Sequence, residues 1–165
     1  MMRATQTVRA GKGFSLVELM IVIGLIGILS VVALFAWQGF RDNANLRTAA
    51  RDVATDIAAT KQRAVSEGVQ YRITFSTAAN NYIIEQGTAA GAPYVTLQTK
   101  TPTTHGTGSG LSINSANFGF LGQELRLIPR GTLSAGTVIL RNSKGSQATI
   151  TINVTGRTHV QFAMQ

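Results

Sequence analysis

The sequence predicts an α+β protein in which one long N-terminal helix, apolar in its first half and amphipathic in its second, packs on an antiparallel β-sheet domain. Three observations carry that prediction. Leu19 to Trp37 contains no charged residue. After Phe40, Leu46, Ala50, Val53, Ile57 and Ala64 recur at three, four or multiples of that spacing, with Arg47, Arg51, Asp52, Lys61 and Arg63 on other faces, which is the pattern of an amphipathic helix. Beyond Gly68 the period falls to two, as Val69, Tyr71, Ile73 and Phe75 alternate with Gln70, Arg72, Thr74 and Ser76, the mark of a half-buried strand.

In chain order, residues 1–13 form a leader with Arg3, Arg9 and Lys12 and no acid. The uncharged run after it reaches about 28 Å as a helix at ~1.5 Å per residue, close to the hydrocarbon thickness of a bilayer. Positive-inside bias then keeps the leader cytoplasmic and sends the remainder across. A secretory signal of the ordinary cleaved kind fits less well. The apolar run is longer than the usual h-region, no small-x-small cleavage site follows it, and helical sequence continues past Trp37. Trp37 itself suits an interfacial anchor. No proline precedes Pro93, and the first terminator is Gly68. A membrane-spanning half at 14–40 and an amphipathic half at 41–68 are therefore expected as one helix, about 80 Å long at ~1.5 Å per residue.

The residues Gly13, Phe14, Ser15, Leu16, Val17 and Glu18 pose a physical problem, because a carboxylate at the start of a spanning segment costs about 2.5 kcal/mol or more unless it is paired. A cut after Gly13 would give Phe14 a free ammonium, with Glu18 four residues along the same helical face. The cation could come from this chain or from a neighbour. The simpler account of Glu18 is a headgroup-level position near a helix N-terminus, where negative charge is favoured.

The segment GKGFSLVELMIVIGLIGIL resembles the class III signal of type IV pilins and type II secretion pseudopilins: a short basic leader, Gly at the cut, Phe after it, Glu at the fifth mature position and an apolar helix. The resemblance implies a type IV pilin-like fold and a prepilin peptidase that cleaves between Gly13 and Phe14 and methylates the new N-terminus. It also implies assembly with other pilins or pseudopilins through Glu18. Major pilins usually carry a proline inside the apolar half. Here Gly24 and Gly27 are the only flexible points, which points to a minor subunit.

Residues 69–165 read as a β-rich domain. Asn80-Asn81 makes a turn into NYIIEQ, and Lys144-Gly145 separates TVILRNS from QATITINV, in which Ile150, Ile152 and Val154 alternate with polar residues. The stretch from Gly87 to Gly110, rich in Gly, Thr and Ala and broken only by YVTLQ, reads as a long surface excursion. It is either a partner-binding loop or an insert without a recognition role. The second is favoured, because only Tyr94 and His105 offer much for recognition. The closing segment LIPRGTLSAGTVILRNSKGSQATITINVTGRTHV resembles that of GspH/FimT pseudopilins through Pro129, Gly131, Gly145, Gly156 and Arg157. Glycines suit tight hairpin turns where φ is positive.

The chain has 165 residues, no cysteine and two histidines, which excludes a disulfide framework and thiolate metal sites and leaves little for a multi-histidine site. No nucleophile elbow, P-loop or paired ligand motif occurs, and His105 and His159 have no acid nearby in sequence. The expectation is a non-enzymatic subunit with no catalytic residue, metal or cofactor, held in the bacterial inner membrane with a periplasmic C-terminal domain and then drawn into a pseudopilus or surface pilus. Without the three leader cations, 12 basic residues stand against 7 acidic ones, so the formal charge of +8 becomes +5 for the implied mature chain, whose exposed part should attract polyanions. Arg126, Arg130, Arg141, Lys144 and Arg157 all lie in the C-terminal third. In FimT-like minor pilins of transformable bacteria, a C-terminal Gly-Arg-x-Arg pattern is associated with DNA binding. Here Gly156, Arg157, Thr158 and His159 match it with histidine in place of the second arginine. A DNA receptor in natural transformation is therefore the alternative function, set against a merely basic sheet edge that deters aggregation.

Overall fold

The structure, a computed structural model, describes residues 15–102 and 110–165, and their side chains except those of 32–39. The Gly13–Phe14 junction, the leader, His105 and the side chain of Trp37 lie outside that description. The chain divides into two compact units, Met1–Gln38 and Gly39–Gln165. Helix α1 runs from Leu16 to Glu67, close to the expected bounds. It stops where expected: Gly68 takes φ +68°, a left-handed conformation that ends a helix at little cost only when no Cβ is present.

In the first unit every described large apolar side chain from Leu16 to Val31 is exposed, between 42% and 73%. Nothing lies within 4 Å of where a Cβ would stand on Gly24 or Gly27. The Ser30 hydroxyl turns back to donate to the Ile26 carbonyl at 2.7 Å, so the one polar side chain in this stretch beyond Glu18 is satisfied within the helix. Among the described residues no helix is long and apolar enough to cross a membrane. The uncharged run continues to Trp37, through side chains outside the description.

In the second unit, Leu46, Ala50, Val53, Ile57 and Ala64 of α1 are at most 2% exposed, so the helical period picked out the packed face. Eight strands follow: β1 (Tyr71–Ser76), β2 (Asn81–Thr88), β3 (Gly91–Lys100), β4 (Ser112–Asn117), β5 (Glu124–Leu127), β6 (Gly136–Arg141), β7 (Gln147–Ile152) and β8 (Thr158–Ala163). They form two antiparallel four-stranded sheets, β3-β2-β1-β5 and β4-β6-β7-β8. One core serves both. Tyr71, Ile73 and Phe75 of β1, Leu125 and Leu127 of β5, Val138 and Leu140 of β6, and Ile150 and Ile152 of β7 are buried with the helix face. The Phe75 ring lies 5.7 Å from Phe118 and 5.6 Å from Tyr82.

The expected excursion between Gly87 and Gly110 is in large part a strand. Residues 91–100 form the ten-residue edge strand β3, paired to β2 with two shifts of register. Residues 94–99 are exposed or half-exposed on both faces, because among the described residues no second layer covers this edge. Its side chains therefore show no alternation of burial, and a reading based on alternation sees only YVTLQ. Asn80, at φ +51°, ties the β1–β2 turn to the start of β4: its side chain donates to the Leu111 carbonyl and accepts from the Ile113 amide, each at 2.8 Å.

Candidate functional site

The basic residues singled out in sequence do not form one patch. Arg141 ends β6, and Lys144 sits in the turn to β7, where it reaches Asp42 of α1 at 3.7 Å. That turn is built by Asn142, whose side-chain oxygen accepts from the amides of Lys144 and Ser146 and whose amide group donates to Asn43. Arg157 and His159 belong to the opposite end of the same sheet, in and just after the β7–β8 turn. The six residues of β7 separate the two ends by about 17 Å at ~3.4 Å per residue.

Arg126 and Arg130 come to the Arg157 end by a different route. Residues 126–134 fold back on themselves: the Ile128 amide donates to the Thr132 carbonyl, the Arg126 amide to the Ser134 hydroxyl, and the Ser134 amide to the Arg126 carbonyl. The Leu133 amide then donates to the Val154 carbonyl at 3.0 Å, which lays this hairpin beside the Asn153–Arg157 turn. In that turn the Asn153 side-chain oxygen accepts from the Arg157 amide at 2.9 Å and the Thr155 hydroxyl at 2.8 Å. Gly131, Gly145 and Gly156 take φ of +82°, +91° and +77°, as their place in tight turns requires.

Helix α1 adds a cation that sequence reading left on a polar face. The Lys61 ammonium donates to the Thr155 carbonyl at 2.7 Å, which fixes the β7–β8 turn against the helix. Two depressions flank this junction. One, of about 400 Å³, is lined by Ala58, Lys61, Gln62, Val65, Ser66 and Gly156. The other, of about 340 Å³, is lined by Thr151, Asn153, Arg157, Thr158 and His159.

Charge is distributed unevenly. Residues 125–165 contain no Asp or Glu, and Arg130, Arg141 and Arg157 are exposed and enter no ion pair among the described residues. Arg126 is different: it shares Glu124 with Arg72 at 3.3 Å each, and Arg72 also holds Glu85 at 2.6 Å and stacks 4.3 Å over the Tyr94 ring. The bond to Glu85 raises the Arg72 pKa further. Asp56 is likewise occupied, accepting from the Tyr82 hydroxyl at 2.6 Å and Lys100 at 2.7 and 2.8 Å. Burial and then this bond push the Tyr82 phenol well above its usual range. Burial and a 2.6 Å bond to Glu67 push Tyr71 up to about 12. Among the described residues no three His, Asp or Glu side chains gather in a way that could hold a metal ion.

The family model described as type II transport protein GspH matches residues 49–156, and the prokaryotic N-terminal methylation motif matches residues 9–34. Three solved structures share the fold. The minor pseudopilin EpsH from the type 2 secretion system of Vibrio cholerae has a TM-score of 0.58 at 13% identity, covering 71% of this chain and 96% of that one. The type IV minor pilin FimU of Pseudomonas aeruginosa has a TM-score of 0.54 at 17% identity, covering 74% and 92%. GspH of E. coli has a TM-score of 0.50 at 17% identity, covering 74% and 89%. No curated protein sequence matches significantly. The fold is type IV pilin-like.

Proposed function

Because this chain belongs to the GspH family and carries the methylation motif of prepilins, we propose that it is a minor pseudopilin or pilin whose mechanism is assembly, not catalysis. One observation carries this reading: the apolar side chains from Leu16 to Val31 are exposed on all sides of the helix. Such a surface is stable only against lipid or other apolar helices. On this reading the helix first sits in the bacterial inner membrane with the β-domain in the periplasm. A prepilin peptidase then releases Phe14, and the helix exchanges lipid for neighbouring subunits of a type II secretion pseudopilus or a type IV pilus.

Glu18 lies in the first turn of α1 and is exposed, so it is open to a neighbour's α-ammonium. Burial of the carboxylate among helices is tolerable only with such a partner. Glu18→Ala is expected to leave cleavage and membrane insertion intact and to remove the chain from sheared filament fractions. Wild-type amounts of the variant in those fractions would contradict the role.

A second reading, a DNA receptor, draws on the acid-free run 125–165 with exposed Arg130, Arg157 and His159 at one end of the domain. On this reading binding is weak and indifferent to sequence. Arg157→Ala lowers it at low salt and flattens the slope of log affinity against log salt by about 0.9 for a lost phosphate contact. Mobility shifts between ~50 and ~200 mM salt measure this, and binding indifferent to both salt and Arg157→Ala refutes it.

A further inference from the structure

We infer that the groove beside the C-terminal end of α1 docks an acidic protein segment that places an apolar side chain in it. The inference deepens the assembly role, on which it rests, by giving the domain a contact outside the N-terminal helix.

The groove has about 400 Å³ of space, walled by Ala58, Gln62 and Val65 on the helix and by Gly156 opposite. That volume suits one or two aliphatic side chains, and Ala58, Val65 and Gly156 give it an apolar part beside the polar Lys61, Gln62 and Ser66. Three branched apolar residues stand exposed around the same junction: Val65 at 50%, Val154 at 53% and Ile128 at 40%. The segments that carry them adjoin. The Leu133 amide bonds the Val154 carbonyl, and a Cβ on Gly131, in the turn that follows Ile128, would come 3.6 Å from Val65 Cγ2. Exposed apolar groups gathered about a concavity mark an interaction surface rather than chance exposure.

The electrostatics choose the partner. Lys61 forms one wall, its stem against Gly156 and its ammonium held by Thr155. Arg130 and Arg157 are the exposed neighbours of Gly131 and Gly156. Neither arginine enters an ion pair among the described residues, residues 125–165 contain no Asp or Glu, and Glu67, which follows Ser66 on the helix, is engaged by the Tyr71 hydroxyl and the Gln86 side-chain amide. An apolar part within a rim of one sign fits a segment whose anchor side chain is flanked by Asp or Glu, with the anchor supplying affinity and the rim supplying orientation. Nucleic acid would satisfy the rim through its phosphates, but it has no aliphatic side chain for the apolar part. That part of the lining therefore favours protein.

The test uses the full-length chain in its native cells, with a photo-crosslinking residue at Ala58 in the groove and, as control, at exposed Ala78 in the β1–β2 turn, and maps adducts by mass spectrometry. The expected adduct forms at Ala58 and not at Ala78. It lies in a polypeptide stretch with Asp or Glu within one helical turn of the captured residue. Its yield falls about tenfold in the Arg130→Glu/Arg157→Glu variant, while Val65→Asp abolishes it. Both variants are checked for normal processing and accumulation, and Lys61→Arg, which keeps the charge, should retain the adduct. Equal yields at Ala58 and Ala78, insensitivity to charge reversal, capture of a neutral or basic stretch, or capture of nucleic acid would each overturn the inference. Sheared filaments separate this outcome from the assembly reading. A chain that enters filaments without an Ala58 adduct overturns the groove alone, and one that forms the adduct but never enters filaments overturns the filament role alone.

Discussion

Gly156→Ala tests whether the junction between α1 and the β7–β8 turn is as tight as its geometry indicates. At φ +77° an alanine pays the left-handed penalty of about 1–2 kcal/mol. Its Cβ would also stand 2.8 Å from Leu133 Cδ1, 2.8 Å from Lys61 Cδ and 3.0 Å from Lys61 Nζ. Lys61 can swing outward, losing its 2.7 Å bond to the Thr155 carbonyl, at about 1 kcal/mol. Leu133 is 4% exposed and cannot swing, so it moves off its rotamer at about 0.5–1.5 kcal/mol. The sum is about 2.5–4.5 kcal/mol. Gly145→Ala is the matched control. Its φ is +91°, but its nearest contacts are the far ends of Gln165 and Arg141, so only the backbone penalty of about 1–2 kcal/mol applies. Urea unfolding of the full chain in detergent micelles, followed by circular dichroism, measures both, with the midpoint falling and the slope unchanged. A Gly156→Ala unfolding free energy within ~0.5 kcal/mol of the parent's, or equal to that of Gly145→Ala, would refute the steric part of the reasoning.

Intact-mass analysis of the native protein is expected to find a chain beginning at methylated Phe14, and Gly13→Ala is expected to accumulate as an uncut, membrane-retained precursor. A native chain that still begins at Met1 in cells with an active prepilin peptidase would contradict the processing. Stability is expected to fall in alkali. The Tyr71 phenol is raised to about 12 from 10, so the folded state holds a proton that the unfolded chain releases first. The resulting stabilisation is complete below pH 10 and is lost as pH rises towards 12. Tyr82 acts in the same sense. Urea midpoints measured between about pH 9 and 11.5 should decline less steeply in Tyr71→Phe than in the parent, and parallel declines would remove Tyr71 from the account.

Much of the fold was legible because its strongest signals are local. The helical period found five of the residues of α1 that the core buries, Gly68 ended the helix, and the alternation through β1 and β7 identified their inward residues. Strand β3 escaped because burial on neither face leaves no alternation to read. The division into two sheets escaped because it depends on which distant strands pair: β5 joins β1 across about fifty residues of chain, while β4 joins β6 instead. Nothing in the sequence of an individual strand records that choice. The turn asparagines were legible in part. Asn80 reads as a turn residue, yet its bonds to Leu111 and Ile113 are tertiary.

The basic residues show most clearly where sequence proximity misleads. Lys144 and Arg157 are thirteen positions apart, yet the register of β7 puts them at opposite ends of a sheet. Arg130 and Lys61 are far apart in sequence, yet one turn and one lysine–carbonyl bond bring their segments to the same junction. A count of cations in the C-terminal third therefore overstates the patch by including Arg141 and Lys144, one of which already faces Asp42. It also misses the helix that supplies a wall of the groove. What matters for a partner is a basic rim around Val65 and Gly156, where a segment with both carboxylates and an apolar anchor gains from each. That combination exists only because a short helix face, a hairpin and a glycine turn meet.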